Sequence, residues 1–355
     1  MAEGTVVPHG PVQRRLLGLL AEEFPDLGFS TGVATRSTLG PDTLTVRPIG
    51  DAAEVERIAA WLDGQESVDV AAPKKGQLHV RLTAEALRTW FCEGWEQADR
   101  VAAGELGPVS LAVPAEESPC SLDLARKAVV ARSLAALLED QGHTVEVTAS
   151  ADEQVWLSDG DASAQPRRID VAEVDAKHDR LRARHGGTLT LENLREDIRE
   201  DAILLDGRER DDRYADTFVA YLMTQVPRER RLGIDDEKVG RKVTELDEIL
   251  AAAALAKEKS AAPAGGESGL SSETEPVVRG LIGQIEPARD LVAYAAKSLD
   301  PAPLTRLIRS LAEEIGAAGA LPAGDPLWAA AAEALENGLR LLAPDDDRGH
   351  VPGVD

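Results

Sequence analysis

Arg180, Arg182 and Arg184 stand at i, i+2 and i+4, and three guanidinium groups so spaced could hold a phosphate. The plainer reading of the same residues is a solvated loop. Ser121 and Asp123 stand where a helical pattern begins, and a hydroxyl or carboxylate there caps free backbone N–H groups. Cys120, one residue earlier, sits where a helix N-terminus can lower a thiol pKa. No paired base accompanies it, so it reads as an inert loop or core thiol. The histidines, His9, His79, His143, His178, His185 and His350, show no i, i+4 spacing with a third donor nearby, and no metal site is expected. No glycine-rich phosphate loop is present, since Gly265-Gly266 falls in a linker-like stretch. Arg228, Arg230 and Arg231 are mixed with Glu229 and with acids at 235–237, which reads as ordinary surface.

These residues need elements to position them. Leu16, Leu17, Leu20 and Phe24 recur at helical spacing over 11–24, and Pro25 ends that helix. Residues 43–47 alternate like a strand. Asp51 is a fitting N-cap for a helix whose apolar face is Val55, Ile58, Ala59 and Leu62. A second strand spans 78–82, and Thr83 caps a helix carrying Leu87, Trp90 and Phe91. A β-α-β unit follows. Val109, Leu111 and Val113 alternate, a helix runs from Leu122 to Gln141, Gly142 stands at its C-cap, and Val145 and Val147 open the next strand. That pattern opens a doubly wound sheet. Residues 158–187 read as a polar loop holding at most a short helix, and 190–259 as helices broken at Gly207 and Gly233. Residues 276–342 are helical throughout, and 345–355 form a polar tail.

Composition sets the outer limits. At 355 residues the chain has room for two or three domains, and 43% apolar content excludes global disorder. No apolar run reaches the length of a membrane span, and Met1–Gly4 lacks the features of a signal peptide, so neither is expected. Two cysteines, Cys92 and Cys120, exclude a disulfide scaffold and suit the cytoplasm. The net charge of −24, from 63 acids and 39 bases, opposes a chain built throughout to grip phosphate backbones. The charge is uneven, however. Residues 177–242 hold 15 bases and 15 acids, so nucleic-acid contact belongs in that neutral stretch, and no DNA partner is expected.

The helix from Leu124 onward, closed by Gly142-His143-Thr144-Val145, resembles the first helix of the class I arginyl-tRNA synthetases. Pro119 matches the proline ahead of that family's ATP-binding His-x-Gly-His signature. Laid on the pattern, the four signature positions are Ser121, Leu122, Asp123 and Leu124, so both histidines and the glycine are replaced. The family's imidazoles donate to ATP phosphates at a helix N-terminus and stabilise departing pyrophosphate. Leu124 cannot donate, Ser121 carries no charge, and Asp123 sets a negative charge where a polyphosphate would lie. Like charges ~4 Å apart cost about 4 kcal/mol at an effective dielectric near ~20. Arg180–Gly187, followed by Thr190–Leu194, is similar to the second half of the family's Lys-Met-Ser-type loop, without its Met and Ser. Few residues separate the β-α-β unit from that loop, so the second half of a catalytic domain reads as deleted.

The ends of the chain extend the resemblance. Leu299–Ala312 and Leu335–Leu342 resemble the family's helical anticodon-binding domain, and Tyr221-Leu222-Met223 the segment leading to it. Val80–Leu87 is similar to the close of its additional N-terminal tRNA-binding domain. The family's aromatic-rich stretch is replaced by Ile315–Gly319, which has no ring to stack on a base. Residues 277–344 hold 6 bases and 8 acids. Arg306 and Arg309 are RNA-binding candidates there, or else a solvated helix face.

The resemblance implies an α/β plus all-α fold in several parts. These are a small N-terminal α/β domain (1–103), a truncated doubly wound nucleotide-binding core (104–205), a helical connector (206–259), a flexible linker (260–275), an anticodon-binding-like helical bundle (276–344) and a tail (345–355). It implies a degenerate arginyl-tRNA synthetase paralogue with no catalytic residue and no cofactor, binding tRNA through Arg180, Arg182, Arg184, Arg306 and Arg309. Two alternatives stay open. One is a regulatory scaffold that binds a protein and no RNA, which the acidic charge suits. The other is an ATP-dependent arginine–tRNA ligase in which other residues replace the signature.

Overall fold

The structure, a computed structural model, describes residues 10–33, 42–49, 52–74, 76–95, 106–114, 118–150, 152–159, 165–176, 185–186, 189–200, 208–263 and 270–344. Asp51, Arg180, Arg182, Arg184, Gly207, residues 264–269 of the expected linker and the tail 345–355 lie outside the described residues. Two compact units divide the chain. One comprises 1–99, 251–293 and 310–335, and the other 100–250, 294–309 and 336–355.

In the first unit, α1 (Pro11–Glu23) starts on a proline whose fixed φ suits the first helical position, and it buries Val12, Leu16 and Leu20. Strands β1 (Gly28–Val33) and β2 (Leu44–Ile49) precede α2 (Ala52–Leu62), which buries Val55, Ile58, Ala59 and Leu62, the face its spacing predicts. Strands β3 (Val68–Lys74) and β4 (Gln77–Leu82) complete an antiparallel sheet of order β1-β2-β4-β3. Along β4, Leu78, Val80 and Leu82 are buried while Gln77, His79 and Arg81 are partly exposed, the period of a half-covered sheet. Gly76, with φ +75°, makes the reversal between β3 and β4. The Ala86 N–H donates to Thr83 Oγ1 at 3.3 Å and opens α3 (Ala84–Trp95), as its sequence predicts. The alternation does not announce β1 or β3. Glycines interrupt the first and Ala-Ala-Pro the second.

The second unit opens on the β-α-β element: β5 (Gly107–Val113), α4 (Leu122–Asp140) and β6 (His143–Ala149), with β5 and β6 parallel. Gly142, at φ +95°, ends α4 in the left-handed region that favours glycine. Beyond this unit the sheet departs from a doubly wound pattern. The connection 150–154 is too short for a crossover. So β7 (Val155–Asp159) turns back and pairs antiparallel with β5, and β8 (Arg167–Ile169) pairs antiparallel with β7, in the order β6-β5-β7-β8. The stretch expected to be loop therefore contributes β8 and also β9 (Val174–Ala176). Helices α5 (Leu191–Arg199) and α6 (Asp212–Thr224) follow. Strand β10 (Leu232–Ile234) pairs parallel with β9 around Gly233, where the sequence reading has only a helix break, and α7 (Asp236–Ser260) comes next.

The C-terminal helices are α8 (Thr274–Ile285), α9 (Ala288–Ser298), α10 (Ala302–Ala317) and α11 (Pro326–Leu342). Leu299 joins α9 to α10 at φ +52°, a conformation costly for a branched side chain, with the Asp300 N–H bonded to Ala295 O at 3.0 Å. Within the first unit, α8 packs on α3. There Arg279 pairs with Asp42 and donates to Leu82 O at 3.0 Å, and Arg88 meets Asp325 at 2.6 Å.

Candidate functional site

The N-terminus of α4 holds Ser121, Leu122, Asp123 and Leu124, the four positions that the sequence resemblance lays on a nucleotide signature. Strand β5 leads into a turn with a cis Ser118–Pro119 bond and then to the buried Cys120. The Cys120 N–H donates to both oxygens of Glu192, each at 3.1 Å, and Cys120 O accepts from the Leu191 N–H at 2.9 Å. Ser121 and Thr190 form an antiparallel bridge, so the starts of α4 and α5 are laced together. The Thr190 and Asn193 side chains close a capping box at the head of α5. Ser121 Oγ accepts from the Leu124 N–H at 3.2 Å, the ordinary cap its residue type suggests. Asp123 accepts from the Val174 N–H and so anchors β9. Leu122 is buried, while Leu124 is only half-buried.

Electrostatics follow from these bonds. Burial works against the Glu192 carboxylate. The N–H groups of Glu192 and Cys120 and the hydroxyls of Thr190 and Ser118 outweigh it, holding Glu192 below the usual carboxylate range. Burial and the neighbouring Glu192 charge push the Cys120 thiol up, opposite to the activation a helix N-terminus could give. Two of the N–H groups here are taken by the chain's own side chains, that of Cys120 by Glu192 and that of Leu124 by Ser121.

One turn further on lies a residue that the sequence reading passes over. Arg126 is fully buried and donates to the carbonyls of Ala172 (2.7 Å), Arg230 (2.8 Å) and Pro227 (3.2 Å). Burial lowers its pKa to about 10 against the pull of Asp300 and Asp123, and the guanidinium stays charged at neutral pH. The signal was available. Arg126 stands four residues after Leu122 and three before Val129, on the buried side of the helix. Arg228 is likewise nearly buried and donates to Asp170 O at 2.7 Å, so it is not the surface residue its charged context suggests. His185 Nε2 lies 2.9 Å from the buried Asp197 carboxylate on α5.

The remaining candidates are cations. Arg180, Arg182 and Arg184 lie outside the described residues. Arg306 and Arg309 are exposed, three residues apart on α10. Arg309 acts electrostatically on Glu245, which also accepts from Tyr221 Oη at 3.0 Å and is bridged to Lys242. Burial would raise the Glu245 pKa, but the bonds from Lys242 and Tyr221 hold it down. Lys238 donates to Gly233 O at 2.6 Å, and Arg241 beside it is exposed. Residues 177–242 contain Lys238, Arg241 and Lys242, and only the tertiary fold sets Glu245, the partner of Lys242, within the electrostatic reach of Arg309. Among the described residues, no three His, Cys, Asp or Glu side chains gather as a metal site, and no helix is long and apolar enough to cross a membrane.

No sequence family matches the chain, and no curated protein does. Solved structures do. The chain is similar to the arginyl-tRNA synthetase of Thermus thermophilus, with a TM-score of 0.58 and 10% identity over 94% of this chain and 99% of the other. It is also similar to the arginyl-tRNA synthetase of Plasmodium falciparum, with a TM-score of 0.57 and 8% identity over 95% of this chain and 99% of the other. At such identities the likeness is one of fold, and the chain is a mixed α/β protein with an arginyl-tRNA-synthetase-like fold.

Proposed function

We propose that this chain is a non-catalytic, arginyl-tRNA-synthetase-like protein that binds tRNA. The observation carrying the reading is the occupied N-terminus of α4. Glu192 takes the Cys120 N–H, Ser121 takes the Leu124 N–H, and Asp123 is spent on Val174. A nucleoside triphosphate there would have to displace Glu192 and lie against Asp123, with no imidazole to donate to it. RNA binding draws its support from the fold shared with two tRNA synthetases and from the exposed arginines of α10. The net charge of −24 favours a second reading, a scaffold for a protein partner without RNA contact.

A salt titration with total tRNA, a duplex-DNA control and an arginine-dependent ATP–pyrophosphate exchange assay separates these readings. The expected result is tRNA binding in preference to DNA, weakening steeply with salt, and no exchange. Absence of tRNA binding at low salt removes the RNA reading and leaves the scaffold. Arginine-dependent exchange overturns the non-catalytic reading.

A further inference from the structure

Strand β6 is an outer strand of its sheet, whose order is β6-β5-β7-β8. It runs in unbroken register with β5, from the Gly107–His143 pair to the Val113–Ala149 pair. Gly142 O accepts the Leu106 N–H at 3.1 Å, and the Ser150 N–H donates to Val113 O at 2.8 Å. Backbone groups alternate sides along a strand, so the even-numbered residues of β6 face β5. The N–H and C=O groups of His143, Val145, Val147 and Ala149 therefore line the open edge. Among the described residues, none of these groups has a hydrogen-bond partner. The other outer strands carry features that discourage a further strand. β3 has a bulge, Pro73 and Lys74, and β1 has Gly28 and Gly32. β8 is three residues long with Arg167 and Arg168, and β9 and β10 are as short. β6 has no bulge, proline, glycine or lysine, and Glu146 is its one formal charge.

Side chains leave the same edge uncovered. Val145 and Val147 stand beside Val109 and Leu111 on the face that α4 covers. The two β5 residues are buried, whereas Val145 and Val147, with no strand on their far side, are only half-buried. Leu106, at the foot of the edge, is 44% exposed, one of two large apolar side chains so exposed among the described residues. The strand also complements itself. Turned about a two-fold axis normal to the sheet at Glu146, a second copy sets Val145 against Val147, Thr144 against Thr148 and His143 against Ala149, with like faces together. The residues with unmet backbone groups then lie opposite one another and exchange both bonds. Pairing of this kind closes on itself and leaves no free β6 edge. Glu146 alone meets its own kind across the axis, a like-charge pair that weakens the contact. The net charge of −24 adds a repulsion that salt screens.

We propose that two copies of this chain associate through β6, paired antiparallel about a two-fold axis at Glu146, so that their two four-stranded sheets become one. This association is independent of the RNA-binding reading above and holds with or without it.

The test is sedimentation velocity on the full chain over a range of protein concentrations, at low and high salt. The expected result is a monomer–dimer equilibrium that salt strengthens, because it screens the like charges. Glu146→Gln should tighten the dimer about fivefold. Val147→Pro removes an N–H that points away from β5, so β6 keeps its bonds to β5 while the dimer weakens on the order of tenfold or more. Thr144→Glu with Thr148→Glu sets acids opposite each other only in the dimer, and should weaken it by a similar amount. Circular dichroism and thermal melts check that each variant is folded. Glu146→Cys tests the register. Its two thiols face each other at a non-hydrogen-bonded pair, with Cα atoms about 4.5 Å apart, within the span of a disulfide. Oxidation should give a covalent dimer that neither the wild type, with Cys92 and Cys120, nor Glu153→Cys, exposed beyond the strand, produces. The proposal is overturned if the wild type and Glu146→Gln both stay monomeric at the highest soluble concentration. A dimer that neither Val147→Pro nor the double glutamate variant weakens also overturns it, as does a dimer that Glu146→Cys fails to cross-link.

Discussion

At the start of α1, the Gln13 N–H donates to Glu286 Oε1 at 2.9 Å, and the Gln13 side chain donates to Asp290 at 3.1 Å. Gly10 is needed there, since a Cβ on it would lie 2.3 Å from the Glu286 carboxylate. Glu286 is almost fully buried. Burial raises its pKa to about 7, the neighbouring Asp290 adds to the rise, and the N–H groups of Gln13 and Val12 and the charge of Arg14 oppose it. The folded-state value thus exceeds the unfolded one. The stability linked to this group is complete below the unfolded carboxylate range and is lost as pH climbs through about 7. The difference amounts to about 3 kcal/mol. Glu286→Gln should remove that slope and raise stability above pH 7, read as urea midpoints measured from pH 4 to 8. An unaltered pH profile in the variant would show that Glu286 is not the group responsible.

At the scale of an element, α4 shows how one helix start can be read two ways. Its sequence puts a hydroxyl and a carboxylate at the first turn, which suits a cap and disfavours a polyphosphate. The structure adds a task that no local pattern contains, the bond from the Val174 N–H to Asp123. Asp123→Ala should therefore cost about 1–3 kcal/mol, more than a surface change, because it strands a partly buried N–H and removes a favourable charge from the helix start. Denaturant midpoints check this, and a loss below a few tenths of a kcal/mol (about the range of surface substitutions) would deny Asp123 that role. The helices α1 to α4 and strands β2, β4, β5 and β6 were legible because their apolar residues repeat at 3.6 or 2. Strands β8, β9 and β10 were not, because each is only three residues long, too short to express a period.

Across the whole molecule, each unit draws on distant segments of sequence. In the first unit, Arg279 of α8 reaches the buried Asp42 and the Leu82 carbonyl, with Glu275 holding its other side. Arg279→Ala leaves Asp42 buried with only the more distant Arg81, 3.7 Å away. The expected loss is about 3 kcal/mol or more, read as a drop in denaturant midpoint, with partial recovery in Arg279→Lys. A loss no larger than that of Arg57→Ala, an exposed arginine, would show that the pair does not support the unit.

What the sequence determined by itself was the periodic and the local. It set the amphipathic helices, the β-α-β unit with its closing glycine, the hydroxyl and carboxylate at the head of α4, and the overall charge. These follow from spacing and residue type, which need no knowledge of neighbours far along the chain. The tertiary structure decided the use of the polar groups. Arg126 became a clamp on backbone carbonyls, Glu192 took the Cys120 N–H ahead of α4, and Glu245 took the bonds of Lys242 and Tyr221. A charge in a sequence has no fixed partner. Burial, and the need to pair what is buried, select that partner only when the chain has folded.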